Sequence, residues 1–154
     1  MQKLVVIESV YKNDKSAYLR LSLDSIFAQS FQDFKLLLYI DGPVPEGIWR
    51  VIRSYKDERL EVIDNPINKG LATALNNLLS RCKEYSFIAR MEADDIALPD
   101  RFEKQIAYLE AHPEVDMLVV LSMRLTKMET TEGKQLVIPV NQISAEHSLQ
   151  REIL

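Results

Sequence analysis

The most informative stretch of the sequence is Phe87-Ile88-Ala89-Arg90-Met91-Glu92-Ala93-Asp94-Asp95-Ile96-Ala97-Leu98-Pro99. It predicts a short apolar strand that ends in three carboxylates within four residues, followed by a helix that the proline opens. In a parallel sheet the carboxyl end of such a strand lies in a ligand-binding crevice. Carboxylates crowded there repel one another unless a cation joins them. The simplest interpretation is a divalent-metal site that holds a phosphate-bearing substrate.

Strand and helix patterns alternate along the chain as far as residue 121. Apolar runs predict five strands, at Leu4–Ile7, Leu36–Ile40, Leu60–Ile63, Phe87–Met91 and Met117–Leu121. Between them, apolar residues at helical spacing predict four helices, around Leu19–Phe27, Ile48–Tyr55, Leu71–Cys82 and Pro99–Ala111. This alternation predicts an α/β fold in three layers, with a mainly parallel, Rossmann-like sheet covered by helices on both faces.

The pattern weakens after residue 121. Two stretches, Leu121–Lys127 and Gln135–Val140, flank Glu132-Gly133 and predict an antiparallel hairpin, and Ser144–Leu154 is expected to begin a helix. No repeat or linker separates any part of the chain, so a single domain over residues 1–154 is expected.

Composition excludes several classes of protein. The net charge of −4 argues against nucleic acid as a partner. The single cysteine, Cys82, excludes an internal disulfide, and its place on an apolar helix face predicts a small core residue. No apolar run is long enough to span a bilayer and no signal peptide is recognised, so a cytoplasmic protein is expected.

The glycines narrow the ways in which this chain could bind phosphate. The four glycines, at positions 42, 47, 70 and 133, form neither the dinucleotide-binding fingerprint nor the complete P-loop motif. A phosphate ligand would therefore need a metal, and Mg²⁺ or Mn²⁺ is the cofactor that carboxylates suit.

Polar side chains follow the predicted strands at the edge where a crevice would lie. These candidates are Glu8, Ser9, Tyr11, Asp41, Asn65, Asn68, Glu92, Asp94 and Asp95. Simpler interpretations remain open for some of them: Asp41 as a turn residue before Gly42, and Asp94 and Asp95 as acids near a helix N-terminus. Outside this set, Arg101 is interpreted as a solvated surface residue and His112 as a helix C-terminal residue, and His147 has no assigned role.

At these residues the chain resembles the inverting family 2 glycosyltransferases of the GT-A fold, in particular the bacterial capsule and exopolysaccharide enzymes. The resemblance covers nearly all of the chain and rests on segments in the family's order. They are Val10–Asp14, Leu23–Ile26, Gln29–Phe31, Asp41–Val44, Asn68–Ala72 and Ala74–Asn76, followed by Asp94-Asp95 with Leu98–Phe102. Several ordered segments are far more specific than one short motif.

The resemblance implies a nucleotide-diphospho-sugar donor, with a UDP-sugar as the commonest choice. It implies that Asp41 contacts the nucleobase and that the acidic block contacts the ribose and a metal–diphosphate group. We therefore expect Glu8, Tyr11, Asp41, Asn68, Glu92 and Asp94 to bind the nucleotide-sugar, and Asp94 and Asp95 to bind the metal. The implied reaction is transfer of the sugar to a glycan or lipid-linked acceptor in surface polysaccharide biosynthesis, with peripheral association at the inner face of the membrane.

The chain departs from the family pattern in two places. Glu92 stands where the family usually has aspartate; it keeps the charge but reaches one methylene further. The family's acceptor region and catalytic base lie beyond the acidic block, where this chain offers only Glu129, Glu132, Glu146 and Glu152 without a family match. The catalytic residue is therefore unknown, and the domain is expected to be incomplete at its C-terminal end.

Three functional hypotheses follow. The first is a glycosyltransferase, or its donor-binding portion, which predicts metal-dependent binding of a nucleoside diphosphate. The second is a non-catalytic nucleotide-sugar-binding module, which would bind the donor without transferring the sugar. The third is an α/β interaction protein whose acidic cluster is merely solvated, and it predicts no nucleotide binding.

Overall fold

The computed structural model of this protein describes residues 2–118. It divides the chain into two units, Met1–Tyr108 and Leu109–Leu154. The elements are β1 (Leu4–Val10), α1 (Ser16–Phe27), β2 (Phe34–Asp41), α2 (Glu46–Ser54), β3 (Leu60–Asn65), α3 (Leu71–Ser80), β4 (Phe87–Glu92) and α4 (Arg101–Ala111). In the second unit the described residues run from the end of α4 to Leu118, and the His112 carbonyl accepts a hydrogen bond from the Val115 amide at 2.9 Å.

The four strands of the first unit form a parallel sheet in the order β3-β2-β1-β4. β1 and β2 are therefore internal strands, which explains why their sequences are apolar on both faces. The pairing places Ser9 of β1 opposite Glu92 of β4, and Asp41 of β2 opposite Asn65 of β3. The carboxyl ends of all four strands thus meet at one edge of the sheet.

Helices cover both faces of this sheet. On one face α1, α2 and α4 pack against Leu4, Val6 and Val10 of β1 and their neighbours. On the other face α3 packs against Val5 and Ile7 of the same strand. This alternation along β1 matters for the site, because Glu8 belongs to the row that faces α1 and Ser9 to the row that faces α3.

The predicted α/β class, the parallel sheet and the three layers are confirmed for the described residues. The first four strands and the four helices are found with modest shifts of their ends; α4 begins at Arg101, after Pro99, and ends before His112 as predicted. Cys82 is buried in the cluster beneath α3, as expected for a core residue.

Predictions for the C-terminal part fall mostly outside the described residues. This holds for the hairpin at Leu121–Lys127 and Gln135–Val140 and for the helix at Ser144–Leu154. The fifth predicted strand is Met117–Leu121; the first two of these residues carry no regular secondary structure and the others lie outside. Within the described range, none of the helices is both long and apolar enough to cross a bilayer.

Candidate functional site

A cleft of about 370 Å³ opens at the carboxyl edge of the sheet. Its walls come from the ends of β1, β2 and β4 and from the loop that leads into α3. The lining residues are Ser9, Tyr11, Asp14, Asp41, Asn68, Gly70, Leu71, Glu92, Ala93 and Asp94. Acidic and amide side chains from separate strands therefore share one cavity, at the position where parallel sheets bind ligands.

Asp41 joins two walls of the cleft. One of its carboxylate oxygens accepts a hydrogen bond from the Lys69 amide at 2.8 Å, and the other accepts one from the Gly70 amide at 2.9 Å. The Asn68 side chain donates to the Asp41 carbonyl at 2.9 Å. Asp41 is 3% exposed, so these bonds fix the start of α3 against the end of β2. The interpretation of Asp41 as a turn residue alone therefore leaves out its contacts with the loop that leads into α3.

Gly42 makes this close approach between β2 and the α3 loop sterically feasible. Its φ of +84° is a conformation that side-chain-bearing residues rarely adopt. A Cβ atom at this position would lie 2.6 Å from the Asn68 backbone nitrogen. The Asp-Gly pair in the sequence is thus needed both for the turn and for the contact with Asn68.

The acidic segment, residues 92–95, forms a turn at the end of β4. The Asp95 amide donates to the Glu92 carbonyl at 3.0 Å and closes the turn. Asp94 is exposed and lines the cleft, whereas Asp95 is half-buried and is not a lining residue. The turn therefore presents Glu92 and Asp94, rather than all three carboxylates, to the cavity.

Burial, with a smaller contribution from the Asp94 charge, raises the pKa values of two acids around the cleft. Burial, with added repulsion from Asp94, raises the pKa of Asp14 above its usual range, although its carboxylate accepts a hydrogen bond from the Tyr11 amide at 2.8 Å. Burial and the same Asp94 charge also raise the pKa of Asp95, while Arg101 and Arg90 oppose the shift. A cation in the cleft would relieve this repulsion.

Glu8 lies beneath the cleft and does not line it. It is fully buried, and burial, partly offset by the Ser22 hydrogen bond, raises its pKa from 4.5 to about 8. The Ser22 hydroxyl lies 3.2 Å from Glu8 Oε2 and 3.3 Å from the Glu92 carbonyl. Since a hydroxyl has one proton, both contacts are satisfied when neutral Glu8 donates to Ser22 and Ser22 donates to Glu92. Glu8 Oε1 has no hydrogen-bond partner among the described residues.

Two arginines accompany the acidic segment. Arg90 forms an ion pair with Glu92 on the same face of β4. Arg101 is half-buried, with its guanidinium 3.3 Å from the Arg90 carbonyl and 3.1 Å from the Gln105 side chain. The interpretation of Arg101 as a solvated surface residue is wrong, because its position in the first turn of α4 turns it back towards β4.

A metal ion at this site would need ligands from outside the protein. In the part of the chain that the structure describes, no three histidine, cysteine, aspartate or glutamate side chains are grouped to hold a metal ion. Mg²⁺ in phosphate-binding sites is commonly held by one or two carboxylates together with substrate phosphates and water. Asp94, exposed at the cleft with Glu92 beside it, fits that arrangement, whereas the described residues form no closed protein cage.

The structure brings together most of the residues that the sequence proposed for the site. The proposed residues that line the cleft are Ser9, Tyr11, Asp41, Asn68, Glu92 and Asp94, and those that do not are Glu8, Asn65 and Asp95. Asp14, Gly70 and Leu71 also line it but were not proposed. Asp14 lies in the loop between β1 and α1. Its position shortly after a predicted strand could have identified it as a candidate for the site.

Comparison with known proteins identifies relatives of this chain. The model of the family described as Glycosyl transferase family 2 matches residues 6–150. The amylovoran biosynthesis glycosyltransferase AmsE of Erwinia amylovora is 41% identical over 112 residues, which are 71% of this chain and 41% of AmsE. The chain spans less than half of the length of the curated relatives that it matches first.

Solved structures share the fold at low sequence identity. Staphylococcus aureus TarS in complex with UDP-GlcNAc has a TM-score of 0.64 and 21% identity, covering 72% of this chain and 32% of that one. The mannosyltransferase PcManGT from Pyrobaculum calidifontis, in complex with GDP-Man and Mn²⁺, has a TM-score of 0.56 and 18% identity. The match covers 70% of this chain and 32% of PcManGT. These likenesses confirm the expected GT-A-like fold.

Proposed function

The chain belongs to glycosyl transferase family 2, and we propose that it binds a nucleotide-diphospho-sugar in the cleft as the donor of a glycosyl transfer. The observation that carries the proposal is the convergence of Asp41, from the end of β2, with Glu92 and Asp94, from the end of β4, on one cavity. Carboxylates placed in a cavity at this edge of the sheet suit a ligand with ribose hydroxyls and a diphosphate. The structural neighbours were solved with UDP-GlcNAc and with GDP-Man and Mn²⁺, which supports this ligand class.

Asp41 is proposed to recognise the nucleobase. Its carboxylate is held by two backbone amides, yet a carboxylate offers about four acceptor positions and so retains capacity for one more donor. A nucleobase N–H is such a donor. Because the carboxylate is fixed before the ligand arrives, little freedom is lost on binding. Tyr11 and Asn68 are proposed to complete this half of the cleft, and Glu8 to support it from below.

Asp94 is proposed to hold Mg²⁺ or Mn²⁺ together with the donor diphosphate, with Asp95 and Glu92 nearby. A bound divalent ion neutralises the charge that grows on a departing diphosphate. Glu92, which forms an ion pair with Arg90, is proposed to accept hydrogen bonds from ribose hydroxyls. No catalytic base is assigned, and the four C-terminal glutamates considered in the sequence analysis lie outside the described residues.

The biological setting is proposed from the relatives. AmsE is named for amylovoran biosynthesis, and a further relative, WbnJ of Escherichia coli, for O-antigen biosynthesis. We propose a glycan or lipid-linked acceptor in surface polysaccharide biosynthesis. A UDP-sugar as donor, a cytoplasmic location with peripheral membrane association, and a single domain over residues 1–154 stay predictions.

A transfer assay tests the proposal. The chain is incubated with UDP- and GDP-sugars, Mn²⁺ and polysaccharide or lipid-linked acceptors, and released nucleoside diphosphate is measured. We expect slow release that requires acceptor and is lost in Asp94→Asn. Donor binding without any release would favour the alternative, a non-catalytic nucleotide-sugar-binding module. Absence of donor binding would contradict both and leave the interaction-protein hypothesis.

A further inference from the structure

Three polar residues on and just after α1 form what we call the polar stripe: Ser22 and Ser25 lie on the helix, and Gln29 follows its end at Phe27. The spacing of three residues places Ser22 and Ser25 on one helix face, and Gln29 Nε2 donates back to the Ser25 carbonyl at 3.1 Å. Ser22 and Gln29 are buried and Ser25 is half-buried, although α1 packs on a hydrophobic cluster. Buried polar side chains are retained where they satisfy specific partners, so the partners of this stripe indicate its role.

The members of the polar stripe contact successive parts of the chain from the last residue of β4 onward. The Ser22 hydroxyl lies 3.3 Å from the Glu92 carbonyl. Ser25 Oγ accepts a hydrogen bond from the Ala97 amide at 3.0 Å, while its own proton goes to the Ser22 carbonyl at 2.7 Å. Successive members of the stripe thus contact first the end of β4 and then the loop that follows it.

Gln29 makes the last and most extensive of these contacts. Its Nε2 donates to the Leu98 carbonyl at 2.6 Å, and its Oε1 accepts from the Phe102 amide at 3.0 Å. The backbone adds one more bond, from the Ser30 amide to the Pro99 carbonyl at 2.7 Å. The turn with Asp94 and Asp95 is therefore held to α1 on both sides, before it at Glu92 and after it at residues 97–102.

We propose that Ser25 and Gln29 are positioning residues that hold the acidic segment in the geometry required for binding the metal–diphosphate part of the donor. This inference rests on the proposed function. Asp94 is exposed, and none of the hydrogen bonds that the stripe makes among the described residues involves its side chain. The position of Asp94 therefore depends on the backbone that the stripe anchors. A site held only on a loop is imprecise, and supporting hydrogen bonds correct this.

The inference explains why polar residues occupy buried positions on and just after α1 that could have been apolar. A leucine at position 29 would fill the same space but leave the Phe102 amide without its acceptor. It would also remove one of the two hydrogen bonds that the Leu98 carbonyl accepts, the other coming from the Arg101 amide. The bonds from the stripe are short-range and directional, so they define where the loop lies more closely than apolar packing would. Neither residue touches the cleft, and both act through the loop.

Four variants test the proposal: Ser25→Ala, Ser25→Thr, Gln29→Met and the control Ser80→Ala. Ser80 is a matched control because its hydroxyl also donates to a carbonyl three residues earlier, at 2.7 Å, on the exposed end of α3. Amide hydrogen exchange is measured for the peptide covering residues 93–98. The affinity for Mn²⁺ with UDP or GDP is measured by calorimetry on the same proteins.

Ser25→Ala and Gln29→Met are expected to speed exchange in residues 93–98 and to weaken metal–nucleotide binding on the order of tenfold, as for a lost buried hydrogen bond. Ser25→Thr keeps the hydroxyl and should restore both properties, and Ser80→Ala should change neither. Folded Ser25→Ala and Gln29→Met proteins with normal exchange and affinity would overturn the inference. If the unsubstituted chain binds neither nucleotide with Mn²⁺, the proposed function fails, and the exchange comparison still decides whether the stripe holds the segment.

Discussion

The carboxylate of Asp41 accepts a hydrogen bond from the backbone amide of Gly70 at 2.9 Å, and this contact closes one wall of the cleft. Gly70 directly precedes the first residue of α3, where amide groups lack partners within the helix. Gly70 is the N-cap residue of α3, and Asp41 supplies from β2 the acceptor for its amide that a capping box supplies from the side chain at N3. The residue proposed to recognise the nucleobase is at the same time part of the fold.

Replacing Asp41 should therefore affect stability as well as binding. Asp41→Ala leaves the Lys69 and Gly70 amides without their acceptor, and we expect the free energy of unfolding to fall by about 2–3 kcal/mol. Asp41→Asn keeps one acceptor oxygen, so its free energy of unfolding should fall by less. Urea denaturation measures the difference, with the exposed Asp64→Ala on β3 as the control. Equal stability of Asp41→Ala and Asp64→Ala would show that the contact with α3 contributes nothing.

Gly42 and Gly70 allow a matched comparison of two glycines, since both have a φ of +84°. Alanine strains the backbone at either position, but only at position 42 does the new Cβ meet a neighbour, the Asn68 nitrogen at 2.6 Å. Gly42→Ala should therefore be less stable than Gly70→Ala by roughly 1–3 kcal/mol. Thermal or urea unfolding tests this, and the reverse order would contradict the packing described here.

Glu8 predicts an unusual dependence of stability on pH. Its pKa in the folded chain is about 8, above the 4.5 of an exposed glutamate. Between these values the folded state holds a proton that the unfolded state has released, so stability falls as pH rises, at up to about 1.4 kcal/mol per pH unit. Glu8→Gln cannot ionise and should remove this part of the dependence.

The measurement is urea denaturation from pH 5 to pH 8.5 on the unsubstituted chain, Glu8→Gln and the exposed control Glu58→Gln. Asp14 and Asp95 also have raised pKa values, so only the difference between the proteins isolates Glu8. We expect the free energy of unfolding of Glu8→Gln to rise steadily relative to that of the unsubstituted chain as pH rises. The free energy of unfolding of Glu58→Gln should change with pH as that of the unsubstituted chain does. A constant difference between Glu8→Gln and the unsubstituted chain across this range would mean that Glu8 does not carry a buried proton.

Asp94 and Asp41 should differ in what they contribute to ligand binding. Asp94→Ala is expected to weaken metal-dependent nucleotide binding at least about tenfold, more than Asp41→Ala does, because Asp94 faces the cleft from the acidic segment. Asp41→Ala should instead change the preference between UDP and GDP. Calorimetry on both variants decides this, with Asp64→Asn as control. Abolished metal binding in Asp41→Ala with intact binding in Asp94→Ala would reverse the assignment.

Much of the fold could be predicted because its signals are local. Apolar runs of strand length alternate with helical stripes, and the parallel order follows from crossover helices. The cleft residues Asp41 and Asp94 could also be predicted from the sequence, because both follow predicted strands and the carboxyl ends of parallel strands meet at one edge of the sheet. The family resemblance is confirmed by the match to residues 6–150.

The rest of the site depends on contacts that local patterns do not encode. Gln29 entered the sequence analysis only as part of the family segment Gln29–Phe31, and its partners lie far along the chain, at Leu98 and Phe102. Glu8 was placed at the cleft because it ends an apolar strand, yet the alternation along β1 turns it towards α1 and Ser22. In a strand buried on both faces, the residue pattern does not indicate which face is which.

Binding of a nucleoside diphosphate that depends on a divalent metal tests the central claim most directly. UDP and GDP are titrated by calorimetry into the chain with Mn²⁺, and again with EDTA in excess over the metal. The acidic segment beside the cleft, and the lack of a glycine-rich phosphate loop in the sequence, predict saturable binding of one nucleotide with Mn²⁺ and its loss in EDTA. Equal affinity in EDTA, or no binding of either nucleotide in the presence of Mn²⁺, would contradict the account.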